Sequence, residues 1–199
     1  MGYKEKMLVI IIIIWIFALL ITGSLAIIYK VRHKNYLSLN KEYTQILKNV
    51  DPDFTLKTYD VKYEMPKDEE CYYFASNIPL YVYPIIKKQK KKSINDANPK
   101  FEFYRSLKNN FSLIYIKHKK SCLVTSIFVT NNRVLFETPN EFIQFPITKI
   151  KNIYGATYNI DKTWYNGIEI VLEKVRYRIN ISDIELLTTF KKIIEGGNN

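Results

Sequence analysis

The chain has 199 residues, a formal net charge of +11 and two cysteines. Cys71 and Cys122 can close at most one bridge, and neither their number nor their spacing suggests a disulfide scaffold or a zinc site. Of the 30 basic residues only Arg32, Arg105, Arg133, Arg176 and Arg178 are arginine, the side chain that base readout and bidentate phosphate contacts favour. A lysine excess in a chain also rich in Ile, Asn, Tyr and Phe reads as codon bias and argues against a nucleic-acid partner.

Residues 1–6 form a short tail, and Met7 to Tyr29 carries no charge. At about 1.5 Å per residue a helix of this length covers roughly 35 Å, enough to cross a hydrocarbon core of about 30 Å. Isoleucines 10 to 14 are indifferent helix formers in water, but a lone segment in lipid can satisfy its backbone only as a helix. Tyr3, Tyr29 and Tyr36 flank the span where amphipathic rings settle. Residues 7–29 therefore read as a transmembrane helix. The alternative is a cleaved signal peptide, with Lys4 and Lys6 as its basic region and small residues at Ser24 and Ala26; it would leave an outward-facing or secreted protein. Apolar sequence continues past that cut through Ile27 and Ile28, which favours a retained anchor. Lys30, Arg32, Lys34, Lys41 and Lys48 outnumber Lys4 and Lys6, so the C-terminal side is expected to be cytoplasmic on the cell membrane.

Residues 30–59 read as a juxtamembrane helix and linker. Leu39, Tyr43, Ile46 and Leu47 fall at helical spacing, and Asp51-Pro52 ends the run. The favoured reading is an extension of the spanning helix that packs on the following domain.

Residues 60–199 are large enough for one domain with its own core. Strands are predicted at Cys71–Phe74, Leu80–Ile86, Phe111–Ile116, Leu123–Thr130, Arg133–Glu137, Glu141–Phe145, Ile150–Tyr154, Ile168–Leu172 and Val175–Ile179. Turns are expected at Asn131-Asn132, Pro139-Asn140 and Glu173-Lys174. A C-terminal helix follows: Ser182-Asp183-Ile184-Glu185 reads as a capping box, Ile184, Leu187, Phe190 and Ile194 share a face, and Gly196-Gly197 supplies the stop. The fold class is α+β, with a bent antiparallel β-sheet or partial barrel capped by that helix.

Leu123 to Ile153 (LVTSIFVTNNRVLFETPNEFIQFPITKIKNI), with Gly167 to Ile170, Val175 to Asn180 and the last helix, resembles bacterial PH-like and GRAM-like domains. Asp68-Glu69-Glu70-Cys71-Tyr72 is similar to that family's acidic entry into its first strand. The resemblance covers about Lys67 to Glu195 and implies a PH-like binding module. In phosphoinositide-binding PH domains the basic motif lies in the first hairpin loop; here that loop would be Ala75-Ser76-Asn77, which has no cation, so phosphoinositide recognition is not implied.

Lys87, Lys88, Lys90, Lys91 and Lys92 make a local charge run suited to anionic phospholipid headgroups, at up to about 1 kcal/mol per lysine that reaches the surface. Tyr158, Trp164 and Tyr165 bracket an expected loop that could present aromatics to a protein partner, with core or hairpin packing as the favoured reading. His118 and Cys122 have no orienting carboxylate nearby in sequence. There is no phosphate-binding glycine loop, no G-x-S-x-G, no H-E-x-x-H and no C-x-x-C, so no catalytic residue, metal or cofactor is expected. The expected role is a non-catalytic, membrane-anchored adaptor for a protein partner or the anionic membrane surface; the alternatives are an outward-facing or secreted surface protein and, behind it, an enzyme with an unrecognised site. Full-length protein should stay in the membrane pellet through alkaline carbonate extraction, and a mature form starting at Ile27 would end the anchor reading.

Overall fold

The computed structural model describes residues 2–61, 64–85, 100–105, 122–160 and 163–196. The chain divides into two compact units, Met1–Ser38 and Leu39–Asn199. The first is helical, and its helix α1, Tyr3–Lys48, is long and apolar enough to cross a membrane. The apolar residues are exposed, Trp15 and Ile27 each at 66%. Thr22 and Ser24 donate their hydroxyls to the carbonyls of Ala18 and Leu20 four residues back, so these polar groups are satisfied inside the helix, as lipid requires.

No break separates the predicted spanning and juxtamembrane helices. α1 ends where the Asn49 and Val50 amides turn back to Ile46 and Leu47, just before Pro52 disfavours helix at Asp51. The second unit begins at Leu39 rather than near residue 60, because Tyr43 and Leu47 belong to its core.

Among the described residues eight strands form that unit's sheet: β1 Cys71–Pro84, β2 Lys100–Glu102, β3 Cys122–Thr130, β4 Arg133–Glu137, β5 Phe142–Pro146, β6 Asn152–Ile160, β7 Thr163–Val171 and β8 Val175–Ile179. Their order is β2-β6-β7-β8-β1-β3-β4-β5. The sheet is mixed and not wholly antiparallel, since β2 runs parallel to β6 with Lys100 beside Asn152. The predicted strand Phe111–Ile116, His118 and Gly197 lie outside the described residues.

Two expected loops are strand. Ala75-Ser76-Asn77 is a β-bulge within β1: Ala75 pairs with Ile127 and Ile78 with Thr125, leaving two residues opposite Ser126. Asn77 takes φ 58°, a left-handed conformation that asparagine tolerates. The stretch between Tyr154 and Ile168 continues the β6–β7 hairpin, in register from Asn152–Val171 to Ile160–Thr163.

The sheet is strongly curved. Phe145 on β5 stacks on Tyr177 of β8 at 5.3 Å between ring centroids, although three strands separate them in sheet order. A flat sheet at about 4.8 Å per strand would hold them roughly 19 Å apart.

Inside the curve lie Ile78, Leu80, Ile127, Val129, Phe136, Ile153, Ile168, Ile170 and Ile179. Helix α2, Ile184–Gly196, adds Leu186, Leu187, Phe190 and Ile194. Its cap is Asp183, not Ser182: Asp183 Oδ1 accepts the Glu185 amide at 2.8 Å and Oδ2 accepts the Tyr73 hydroxyl at 2.7 Å. Glu185 does not close a capping box but accepts the Tyr59 hydroxyl at 2.5 Å.

The end of α1 lies on the same face. Asn166 Nδ2 donates to the Leu39 carbonyl at 3.0 Å, and the Tyr43 ring sits over Gly155. A Cβ on Gly155 would fall 2.1 Å from the Tyr43 hydroxyl oxygen, so this glycine is a seat for a ring. Both Tyr43 and Phe190 have no solvent exposure. In denaturant unfolding of residues 39–199, Tyr43→Ala and Phe190→Ala should each cost about 3–5 kcal/mol. A cost below about 1 kcal/mol for Tyr43→Ala would remove this stretch of α1 from the core.

Candidate functional site

Strand register gathers cations that are scattered in sequence. Lys100, Asn152, Val171 and Arg176 lie side by side across β2, β6, β7 and β8, and Tyr83 of β1 completes the row. Just beyond it the Lys151 amide donates to the Val171 carbonyl at 2.8 Å, and the Glu173-Lys174 turn is closed by the Leu172 amide on the Val175 carbonyl at 2.9 Å. Pro146 starts a 3-10 turn, Ile147–Lys149, that brings Lys149 to the same end. Between these segments opens a cleft of about 470 Å³. Ile150, Leu172 and Val175 supply its apolar lining, and Lys149, Lys151 and Lys174 are exposed around it.

The lysine run Lys87, Lys88, Lys90, Lys91 and Lys92 lies outside the described residues. Its flanks do not. The Ile85 amide donates to the Lys174 carbonyl at 2.8 Å, and the Lys100 amide to the Lys151 carbonyl at 2.9 Å. Ile85 and Lys100, the described residues on either side of the run, therefore both sit at this same basic end.

The outer face of the sheet, opposite the curved interior, holds a buried ionic cluster. Glu169, fully buried, accepts the Arg178 Nε at 2.6 Å on Oε2 and the Tyr154 hydroxyl on Oε1. Arg176 Nε lies 2.9 Å from Oε1 without the alignment of a hydrogen bond, so it contributes charge alone. The Arg178 guanidinium covers the Tyr83 and Tyr158 rings at 4.7 and 5.3 Å, and Arg105, paired with Glu102, covers Tyr154 at 4.0 Å. Removing one partner of such a buried pair typically costs about 3–5 kcal/mol. The cluster sets two carboxylates, Glu169 and Glu102, against the guanidinium groups of Arg178, Arg176 and Arg105; the buried Glu169 is paired by Arg178 and the excess charge falls on the more exposed Arg176, which fits a structural role.

Tyr158 is not a presented aromatic. It is fully buried, donates its hydroxyl to the Ile179 carbonyl at 2.9 Å and sits where a Gly167 Cβ would be, 2.3 Å from its oxygen. Trp164 is 9% exposed, and Tyr165, half-buried beside Tyr158 in register, packs on the same small cluster. Hairpin packing accounts for all three. The turn from Thr130 to Arg133 is likewise a lock: Glu69 accepts the Thr130 hydroxyl at 2.6 Å and the Arg133 Nε–H at 2.8 Å, while Asn131 Nδ2 donates to the Asp68 carbonyl at 3.0 Å.

No protein-family model matches the chain, and no curated protein matches it. Among the described residues there is no group of three or more His, Cys, Asp and Glu side chains that could hold a metal ion.

Glu169, Arg176 and Arg178 escape sequence reading because Val175 to Ile179 alternates like a strand with one wet face. Their register, Glu169 opposite Arg178, carries the signal. Burial, then Glu169, raise the Tyr154 pKa from about 10 to about 12. The folded protein thus keeps a proton that the unfolded chain loses between those values, so this contribution to stability is complete below pH 10 and disappears as pH rises through 12. Tyr154→Phe should flatten the fall of unfolding free energy between pH 10 and 12 and remove one late-titrating group from the tyrosinate absorbance. An unchanged slope would mean that Tyr154 titrates like a free tyrosine.

Proposed function

We propose that this chain is a single-pass, membrane-anchored binding module whose C-terminal domain is PH-like and docks, without catalysis, on anionic surfaces through its basic sheet end. The anchor is the apolar part of α1, and the excess of flanking cations after it favours a cytoplasmic domain. A curved sheet with a C-terminal helix in its concave core supports the PH-like reading; eight strands with a parallel edge pair depart from the simplest form of that expectation.

The observation that carries the docking role is the pair of backbone hydrogen bonds from Ile85 to Lys174 and from Lys100 to Lys151. They hold the described flanks of the run, Ile85 and Lys100, beside Lys174 and Lys151, at the end of the sheet that also carries Lys149, and the docking reading adds the run's charge to theirs. Tethering raises the effective concentration of any nearby anionic surface, and even a weak attraction then suffices. A chain without a recognisable catalytic motif, whose buried charges pair with one another, reads as a binder.

Residues 39–199 should float with vesicles containing phosphatidylserine at low salt. Flotation should fade as the Debye length falls from about 30 Å at 0.01 M salt to about 8 Å at 0.15 M. Replacing Lys87, Lys88, Lys90, Lys91 and Lys92 by glutamine should abolish it with the fold intact. Equal flotation of parent and variant would discard the lysine run as a lipid contact.

A further inference from the structure

The cleft at the basic end of the sheet has a chemistry of its own. Its apolar residues come from two separate segments: Ile150, 2% exposed, follows the 3-10 turn, while Leu172 and Val175, both half-buried, frame the β7–β8 turn. Three ammonium groups surround this lining, and Glu173 is the one carboxylate among the cleft residues. Among the described residues, none of Lys149, Lys151 and Lys174 is held in an ion pair.

A lipid headgroup would use the lysines and leave the apolar lining empty. So would a free phosphate. A short protein segment with one large apolar side chain between carboxylates satisfies both parts: its ring displaces water from Ile150, Leu172 and Val175, and its acidic neighbours meet the three ammonium groups. The volume of about 470 Å³ lies within the range of sites that bury a compact ligand and leaves room for one aromatic side chain with its flanking backbone.

From this complementarity we infer that the cleft between the 3-10 turn and the β7–β8 turn is a docking site for an acidic segment of a partner protein, anchored by an aromatic residue. This rests on the binding-module reading and names the partner class for its basic end.

The test uses the full chain in nanodiscs of zwitterionic phosphatidylcholine, so that the bilayer does not compete. The probe is a fluorescein-labelled peptide, Glu-Glu-Leu-Phe-Glu-Glu, followed by anisotropy. Saturable binding should weaken at least tenfold in a variant carrying K149Q, K151Q and K174Q. A similar loss should follow V175D, which puts a like charge in the cleft, or a peptide with Ala-Ala in place of Leu-Phe. The variant with all five lysines of the run changed to glutamine should keep binding within about threefold, which separates this site from the vesicle contact: flotation can fail while peptide capture holds. No saturable binding by the parent chain would overturn the proposal. So would equal binding of the Leu-Phe and Ala-Ala peptides, because attraction would then be charge alone, and so would full binding by the K149Q, K151Q, K174Q variant. Circular dichroism of each variant confirms that lost binding is not lost fold; should V175D unfold, the triple lysine variant and the peptide pair decide the outcome by themselves.

Discussion

A carboxylate with no access to water sets the terms for the outer face of the sheet. Glu169 needs positive charge and hydrogen-bond donors at fixed positions, and Arg178, Arg176 and Tyr154 supply them from the two strands that flank β7. Because side chains alternate along a strand, a one-residue slip of β7 would carry Glu169 into the curved interior against Ile153 and Ile179, and turn Ile168 and Ile170 out of it. The apolar residues disfavour that slip, and the ion cluster disfavours it again from the other side. Burial of charge adds little net stability, but here it removes competing registers. The basic end depends on the same alignment, since Lys100, Lys151 and Lys174 meet only when β2, β6, β7 and β8 are paired as they are.

Two glycines make the crowding around this hairpin possible. Gly155 leaves room for Tyr43 on the inner face, and Gly167 leaves room for Tyr158 on the outer face. They lie on paired strands one row apart, Gly155 opposite Ile168 and Gly167 opposite Ala156. The β6–β7 hairpin is thus clasped by a ring from each side, which explains why neither of its faces is left to solvent along most of its length.

Sequence reading succeeds where local chemistry decides. Arg133–Glu137 and Val175–Ile179 coincide with β4 and β8, and Asn131-Asn132 lies between β3 and β4 as the apolar runs on either side require. It falls short where a tertiary partner overrides local preference. Gly155, Thr157, Asn159, Asn166 and Gly167 have the composition of a loop, yet they are strand because rings and a helix fill the space beside them. Ser76-Asn77 has turn chemistry, and it is used for a bulge instead of a hairpin. Three residues of β2 carry no periodic signal at all. Of the candidate site, the lysine run is plain in the sequence, whereas Lys149, Lys151 and Lys174 become neighbours only through the fold.

The position of β1 bears on the order in which the domain assembles. Strands β3, β4 and β5 are joined by short turns, as are β6, β7 and β8, so each trio can form from contacts close in sequence. Among the described residues only β1 bridges the two trios within the sheet, pairing with β3 along most of its length and with β8 from Leu80 to Pro84. Leu80 and Ile179 are roughly a hundred residues apart, and closing so long a loop is the slow kind of step in folding. The two trios thus rest mainly on contacts close in sequence, and the pairing of β1 with both is the long-range step that makes one sheet of them.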